Sequence, residues 1–216
     1  MGQRIQLIVR VPAVYWNPDN PNNKPERVLV FHNQWLYGMG FVEHLEKIIS
    51  GIEILLNEDH DTRYPIEYSD IVEKAIKHAN CFNIRCMTNT HSYATSTDNE
   101  DYTQEIQIKG VMEFLKFLDN NNGYMYIEIN ATGQPRTRQT HKISYGIING
   151  LEDADERKNR TPRQYVNLFY DDTKIIDMGD WEFMRALVNL NKYEQVDVFK
   201  RLEEIKNIPI DTKANA

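Results

Sequence analysis

Cysteine is nearly missing from this 216-residue chain, which has only Cys81 and Cys86. They stand five residues apart with no second His or Cys pair at ligand spacing, so a disulfide framework and a four-ligand zinc site are both excluded. Long apolar runs are absent too, and none approaches the ~18 residues that a membrane span requires. The glycine-rich phosphate loops and the Gly-x-Ser-x-Gly elbow do not occur, which removes P-loop, Rossmann and serine-hydrolase readings. Basic residues are outnumbered 25 to 32, giving a net charge of −7 and no basic footprint for wrapping nucleic acid. The opening MGQRIQLIVRVPA carries Arg4 and Arg10 within its apolar run and lacks Ser or Thr at position 6. Neither a secretory segment nor a myristoylation signal is expected, and the chain reads as cytoplasmic.

What is present is an ordinary globular composition, 41% hydrophobic and 26% charged. A chain of this length buries roughly 70% of its unfolded surface, enough for a core of its own. The charge is uneven. Residues 43–105 hold 13 acidic and 5 basic side chains, so the middle of the chain is as negative as the whole. Such a block suits contact with a basic partner surface.

Gln3 to Val11 alternates and is β-branched, as is Arg27 to His32, and the two are expected to pair as a hairpin. Phe41, Leu45, Ile48, Ile49, Ile52 and Leu55-Leu56 recur at helical spacing, and a second helix is expected near 68–80. Asn83 to Met87 reads as a short strand, Thr88 to Asp101 as a polar loop, and Ile106 to Leu118 as a third helix. The run Asp119-Asn120-Asn121-Asn122-Gly123 is turn chemistry. Tyr124–Asn130 and His141–Asn149 then form two further strands. Thr161-Pro162-Arg163-Gln164 resembles a capping box opening a helix to about Tyr170, Asp180 can cap another through Leu190, and 196–205 supplies the last. The fold class is α+β: a mainly antiparallel sheet of about four strands with helices packed on one face. Residues 1–208 are expected to form a single domain and 209–216 a flexible tail.

The candidate sites follow from side-chain chemistry. His32, Asn33, Gln34 and Trp35 gather hydrogen-bonding groups at a strand-to-helix junction. With Tyr37, Arg136 and Arg138, Trp35 could surround a nucleotide, since the arginine fork suits phosphate. Glu128, His141 and Lys142 would approach one another if their strands pair, as the carboxylate and lysine of metal nucleases do, although Tyr124, Tyr126 and Glu128 share the outward face of a plain sheet. Glu58, Asp59 and Asp61 end the first long helix, and Asp98, Glu100 and Asp101 close a polar loop. These six are the candidate partner contacts.

The stretches RIQLIV and VLVFHNQW, followed by Tyr37-Gly38 and a helix, resemble small accessory proteins of bacteriophages, as does Asn122-Gly123-Tyr124-Met125-Tyr126-Ile127. The resemblance implies a viral or prophage gene acting in a host cytoplasm, and it transfers no catalytic residue. The leading expectation is therefore a non-enzymatic protein that binds and modulates a host or viral protein, possible targets being defence or nucleic-acid-processing complexes. It would need no cofactor or metal, and would not touch nucleic acid or membrane directly. A metal-dependent phosphodiesterase or nuclease is the alternative, and a small-nucleotide sponge the second.

Overall fold

The computed structural model describes residues 5–13, 26–33, 36–58, 66–80, 90–95, 102–107, 123–132, 140–149, 158–178 and 180–208. For His32, for 90–95 and 102–107, and for 176–178, it describes the backbone alone. Five strands make the main sheet: β1 (Ile5–Val11), β2 (Arg27–Asn33), β5 (Tyr124–Thr132), β6 (Thr140–Ile148) and the two-residue β7 (Glu194–Gln195). Their order is β2-β1-β5-β6-β7. Strands β3 (Thr90–Thr95) and β4 (Tyr102–Gln107) form a separate antiparallel pair.

The helices are α1 (Gly38–Asn57), α2 (Tyr68–Ala79), α3 (Pro162–Val166), α4 (Asp172–Met178), α5 (Trp181–Leu190) and α6 (Val198–Ile205). None among the described residues is long and apolar enough to cross a membrane. Capping chemistry sets several of their starts. Thr161 accepts from the Gln164 amide while the Gln164 side chain accepts from the Thr161 amide, a complete capping box with Pro162 inside it. Asp180 accepts from the Phe183 amide to open α5, and Asp197 from the Lys200 amide to open α6. At the head of α1, Gly38 has φ +60°, and a Cβ there would lie 2.9 Å from the Tyr170 ring. Glycine is demanded on both counts.

The expected α+β class holds, and β1 and β2 pair antiparallel from Ile5–Asn33 to Val11–Arg27. Three features differ from expectation. The sheet is mixed, because β5 runs parallel to β1 and β7 parallel to β6. Side-chain alternation has period 2 in either direction, so it fixes the face of each residue and leaves strand direction open. The sheet has five strands, since β7 is too short to show any period. Finally, the helices do not keep to one face. Ile5, Leu7, Val9, Phe31, Met125, Ile127, Tyr145 and Ile147 pack under α1, α2 and α5. The opposite row, Ile8, Val28, Val30, Tyr124, Tyr126 and Ile148, lies under Val198, Leu202 and Ile205 of α6. Strands β1 and β5 are therefore covered on both sides.

Shorter differences follow. Residues 90–95, expected as loop, are strand β3, and Ile106, expected in a helix, lies in β4. The helix from Pro162 ends at Val166, and α4 follows it unforeseen. Residues 81–89, 108–122 and the tail 209–216 lie outside the described residues.

Gly146 lets α6 approach. A Cβ at this position would stand 2.3 Å from Val198 Cγ2 and 3.0 Å from the Val196 carbonyl oxygen. Gly146→Ala is expected to lower stability by about 1–3 kcal/mol through overpacking, read as a lower urea midpoint.

Candidate functional site

The same register that buries both faces of β1 and β5 places Arg10 beside Glu128. Glu128 is 2% exposed. A carboxylate so deep must be met by charge and hydrogen bonds. From α6, Arg201 Nη2 donates to Glu128 Oε1 at 3.1 Å, and its Nε stands 3.0 Å from Oε2. The Tyr126 hydroxyl donates to Oε2 at 3.2 Å, and Asn130 Nδ2 donates to Oε1 at 3.4 Å. Arg10 Nη1 is 4.0 Å from Oε2 and donates to Glu204 at 3.2 Å, while Arg10 Nε donates to Glu26. Arg201 also bridges to Glu204.

Electrostatics follow this geometry. Burial works against the charge on Arg10, yet Glu26 outweighs it and holds the pKa above the usual arginine value. Arg201 behaves alike, with Glu128 and Glu204 outweighing burial. Burial, helped by Glu128, pushes the Tyr126 hydroxyl up. Three carboxylates and two guanidiniums thus form a closed network that pins α6 to the sheet.

The grouping of Glu128, His141 and Lys142 expected of a nuclease is not formed. Antiparallel pairing sets Lys142 opposite Asn130 and Ser144 opposite Glu128. Lys142 bonds Glu194 at 2.5 Å on the exposed edge. His141 points to the other face, where its Nε2 meets the Tyr68 hydroxyl of α2 at 3.0 Å. The sheet itself lies between the carboxylate and the imidazole. Among the described residues no group of three His, Cys, Asp or Glu is placed to hold a metal ion.

The other predicted residues divide simply. His32 is in β2 opposite Gln6, and Asn33 is half-buried at its end. Tyr37 is the residue before α1, tilted against Phe169 at 5.6 Å. Glu58 is exposed at the C-terminal end of α1, its amide donating to the Ile54 carbonyl. Gln34, Trp35, Asp59, Asp61, Asp98, Glu100, Asp101, Arg136 and Arg138 lie outside the described residues.

The end of α1 has an unusual charge arrangement. Backbone carbonyls make a helix C-terminus negative, and a cation there is the stabilising choice. Here the last turn has no basic residue, and Glu58 follows at the cap. Glu53, one turn earlier, accepts from the Tyr193 hydroxyl at 2.7 Å. Between them Ile54 is 64% exposed. Beside this end runs a groove of about 260 Å³, lined by Glu53, Asn57, His141, Lys142, Tyr193 and Glu194 among others. Its polar groups are largely engaged with each other, so the groove offers a shape more than free donors.

Sequence reasoning missed a second surface. On α5, Phe183, Ala186 and Leu190 face the core, yet Trp181, Met184 and Val188 are 85%, 47% and 63% exposed. The signal was legible: WEFMRALVNL holds more apolar side chains than one buried stripe can take.

Comparison with protein-family models, with curated proteins and with solved structures finds no match to this chain.

Two outcomes test the network. Arg201→Met strands Glu128, and is expected to cost about 2–3 kcal/mol, below the ~3–5 of a fully buried pair because Arg201 is 28% exposed. Adding Glu128→Leu to it should restore most of that loss in urea unfolding. Burial also pushes Tyr68 and Tyr145 up to about 12. Their folded values lie above the unfolded value of about 10. The stability they contribute is complete below pH 10 and is lost as pH rises toward 12. Ultraviolet titration should show these hydroxyls ionising with alkaline unfolding, and Tyr68→Phe should remove part of that dependence.

Proposed function

We propose that this protein is a binding protein that grips a basic surface on another protein through the acidic end of α1. The observation that carries this reading is Glu58 with Glu53 at the negative pole of a 20-residue helix, around the exposed Ile54. Acidic groups at a helix C-terminus cost the isolated fold a few tenths of a kcal/mol to ~1 kcal/mol. That cost is recovered when cations arrive. Asp59 and Asp61 continue the acidic run in sequence, and the surrounding 43–105 segment supplies long-range attraction. Ile54 gives the contact an apolar centre within a charged rim, the anatomy of many protein interfaces. The likeness of the opening strands to phage accessory proteins supports a host or viral protein as the target. A role as an inhibitor of a defence or nucleic-acid-processing complex fits, because proteins of that kind present basic surfaces.

The engagement of Glu128 by two arginines, of His141 by Tyr68 and of Lys142 by Glu194 favours binding over metal-assisted hydrolysis. These groups maintain the fold.

Affinity capture from bacterial lysate tests the reading. The charge-reversed Glu58→Lys, Asp59→Lys, Asp61→Lys variant should lose at least tenfold of specific capture at low salt, with a flatter salt dependence. A control reversing Glu152, Asp153 and Glu156 should retain it. Equal capture by both variants and the unaltered chain removes the proposal.

A further inference from the structure

The groove beside the acidic end of α1 has a one-sided supply of hydrogen-bonding groups. Leu56 and Asn57, the last two residues of α1, line it together with Glu53, Tyr193 and Glu194, and the buried Leu56 and Ile143 supply its apolar part. The charged and hydroxyl donors around it already have acceptors. Tyr193 donates to Glu53 Oε2, Lys142 pairs with Glu194 Oε2, and Lys192 donates to the Asn189 side chain. The acceptors have capacity left. A carboxylate takes up to about four hydrogen bonds, and among the described residues Oε1 of Glu53 and Oε1 of Glu194 receive none. The Glu58 amide satisfies the Ile54 carbonyl, whereas the carbonyls of Leu56 and Asn57 have no donor among the described residues.

We infer that this groove receives an arginine side chain of the partner, an inference that rests on the reading of the α1 end as the contact for a basic protein surface. A lining with spare acceptors selects a ligand rich in donors. The guanidinium group has five donors in a planar fork and no acceptor, so it adds no unmatched oxygen to a site already full of them. An ammonium is compact and strongly hydrated, and leaves more of the roughly 260 Å³ unfilled. Tyr193 adds an aromatic ring on which a flat cation can stack. Its hydroxyl is held well above the usual tyrosine value by burial and by Glu53, and it stays a neutral donor that fixes the carboxylate.

Charge alone does not decide the occupant. Glu53 and Glu194 are offset by Lys142 and Lys192, so with His141 neutral the side chains of the lining sum to zero. The balance is tipped by α1, whose C-terminal end carries the equivalent of about −0.5 charge, and by Glu58 at its cap. Glu53 directly precedes Ile54 in the helix. An arginine held by Glu53 therefore brings its neighbours on the partner's surface onto Ile54 and Glu58, and the groove sets the register of the contact.

Amide NMR spectra of the full isotope-labelled chain, titrated with N-acetyl-arginine amide at constant ionic strength, read the outcome. The signals of Asn57, Tyr193 and Glu194 should shift together and saturate, with a dissociation constant on the order of 1–10 mM for a single side chain. N-acetyl-lysine amide should bind about threefold more weakly or worse. N-acetyl-citrulline amide, which keeps the shape and loses the charge, should leave these signals in place, as should N-acetyl-glutamate amide. Glu53→Gln retains an acceptor for Tyr193, so circular dichroism should show the fold unchanged while the arginine probe binds about threefold more weakly or worse. Absent shifts, shifts confined to other parts of the chain, an affinity unmoved by Glu53→Gln, or a stronger response to the glutamate probe each overturn the inference. Reversal of Glu58, Asp59 and Asp61 separates it from the reading beneath it. Capture lost on reversal with the groove silent to arginine leaves the acidic end standing and removes the groove. Arginine binding in the groove with capture indifferent to reversal leaves the guanidinium site standing and removes the acidic end.

Discussion

The covering of β1 and β5 on both faces is the constraint to which the other features answer. A strand covered on one side can turn every second residue to water. These two cannot, and their sequences respond with apolar side chains on successive positions, Leu7-Ile8-Val9 in β1 and Tyr124-Met125-Tyr126-Ile127 in β5. The charged exceptions are Arg10 and Glu128, neighbours in register and on one face. Each would be intolerable alone beneath α6. Together with Arg201, Glu204 and Glu26 they convert a desolvation problem into a directional lock, since the network closes only when α6 sits in one place. Apolar packing by Val198, Leu202 and Ile205 supplies attraction without direction. The ionic contacts supply the register.

That division of labour bears on which residues remain for function. The charged groups most suggestive of chemistry in the sequence are those the fold requires internally. Glu128 neutralises arginine, Lys142 secures β7 through Glu194, and His141 ties β6 to α2 through Tyr68. Groups held by such partners are positioned for the native structure at the expense of reactivity. The features without a structural return are elsewhere: Glu58 at the wrong pole of α1, and a tryptophan turned to solvent on α5. Neither helps the isolated chain, and both are rational in contact with something else.

Legibility in the sequence follows the range of the interactions involved. The caps at Thr161 and Asp180 were readable because a hydroxyl or carboxylate and the amide it binds are three residues apart. The faces of β1, β2, β5 and β6 were readable because alternation is local as well. Strand direction was not, since Leu7 opposite Met125 looks the same in parallel or antiparallel pairing. The burial of Glu128 was hidden for a related reason. Alternation placed it with Tyr124 and Tyr126 on an outward face, and only the return of α6, 73 residues later, makes that face interior. Of the candidate site, Glu58 is legible from its acidic neighbourhood, whereas Ile54 falls outside the helical repeat of Phe41, Leu45, Ile48, Ile49 and Ile52 and stands out only by its exposure in the fold. Trp181 reads as the first residue of a capped helix, and its exposure follows from a buried side already filled by Phe183, Ala186 and Leu190.

The seating of α5 on α1 also bears on the acidic end. Glu182 of α5 pairs with Lys47, Asn189 donates to Glu46, and Tyr193, just past α5, donates to Glu53. These contacts hold one side of α1 from Glu46 to Glu53 and leave Ile54 and Glu58 exposed. A surface mounted on a helix fixed in this way loses little conformational entropy when a partner meets it.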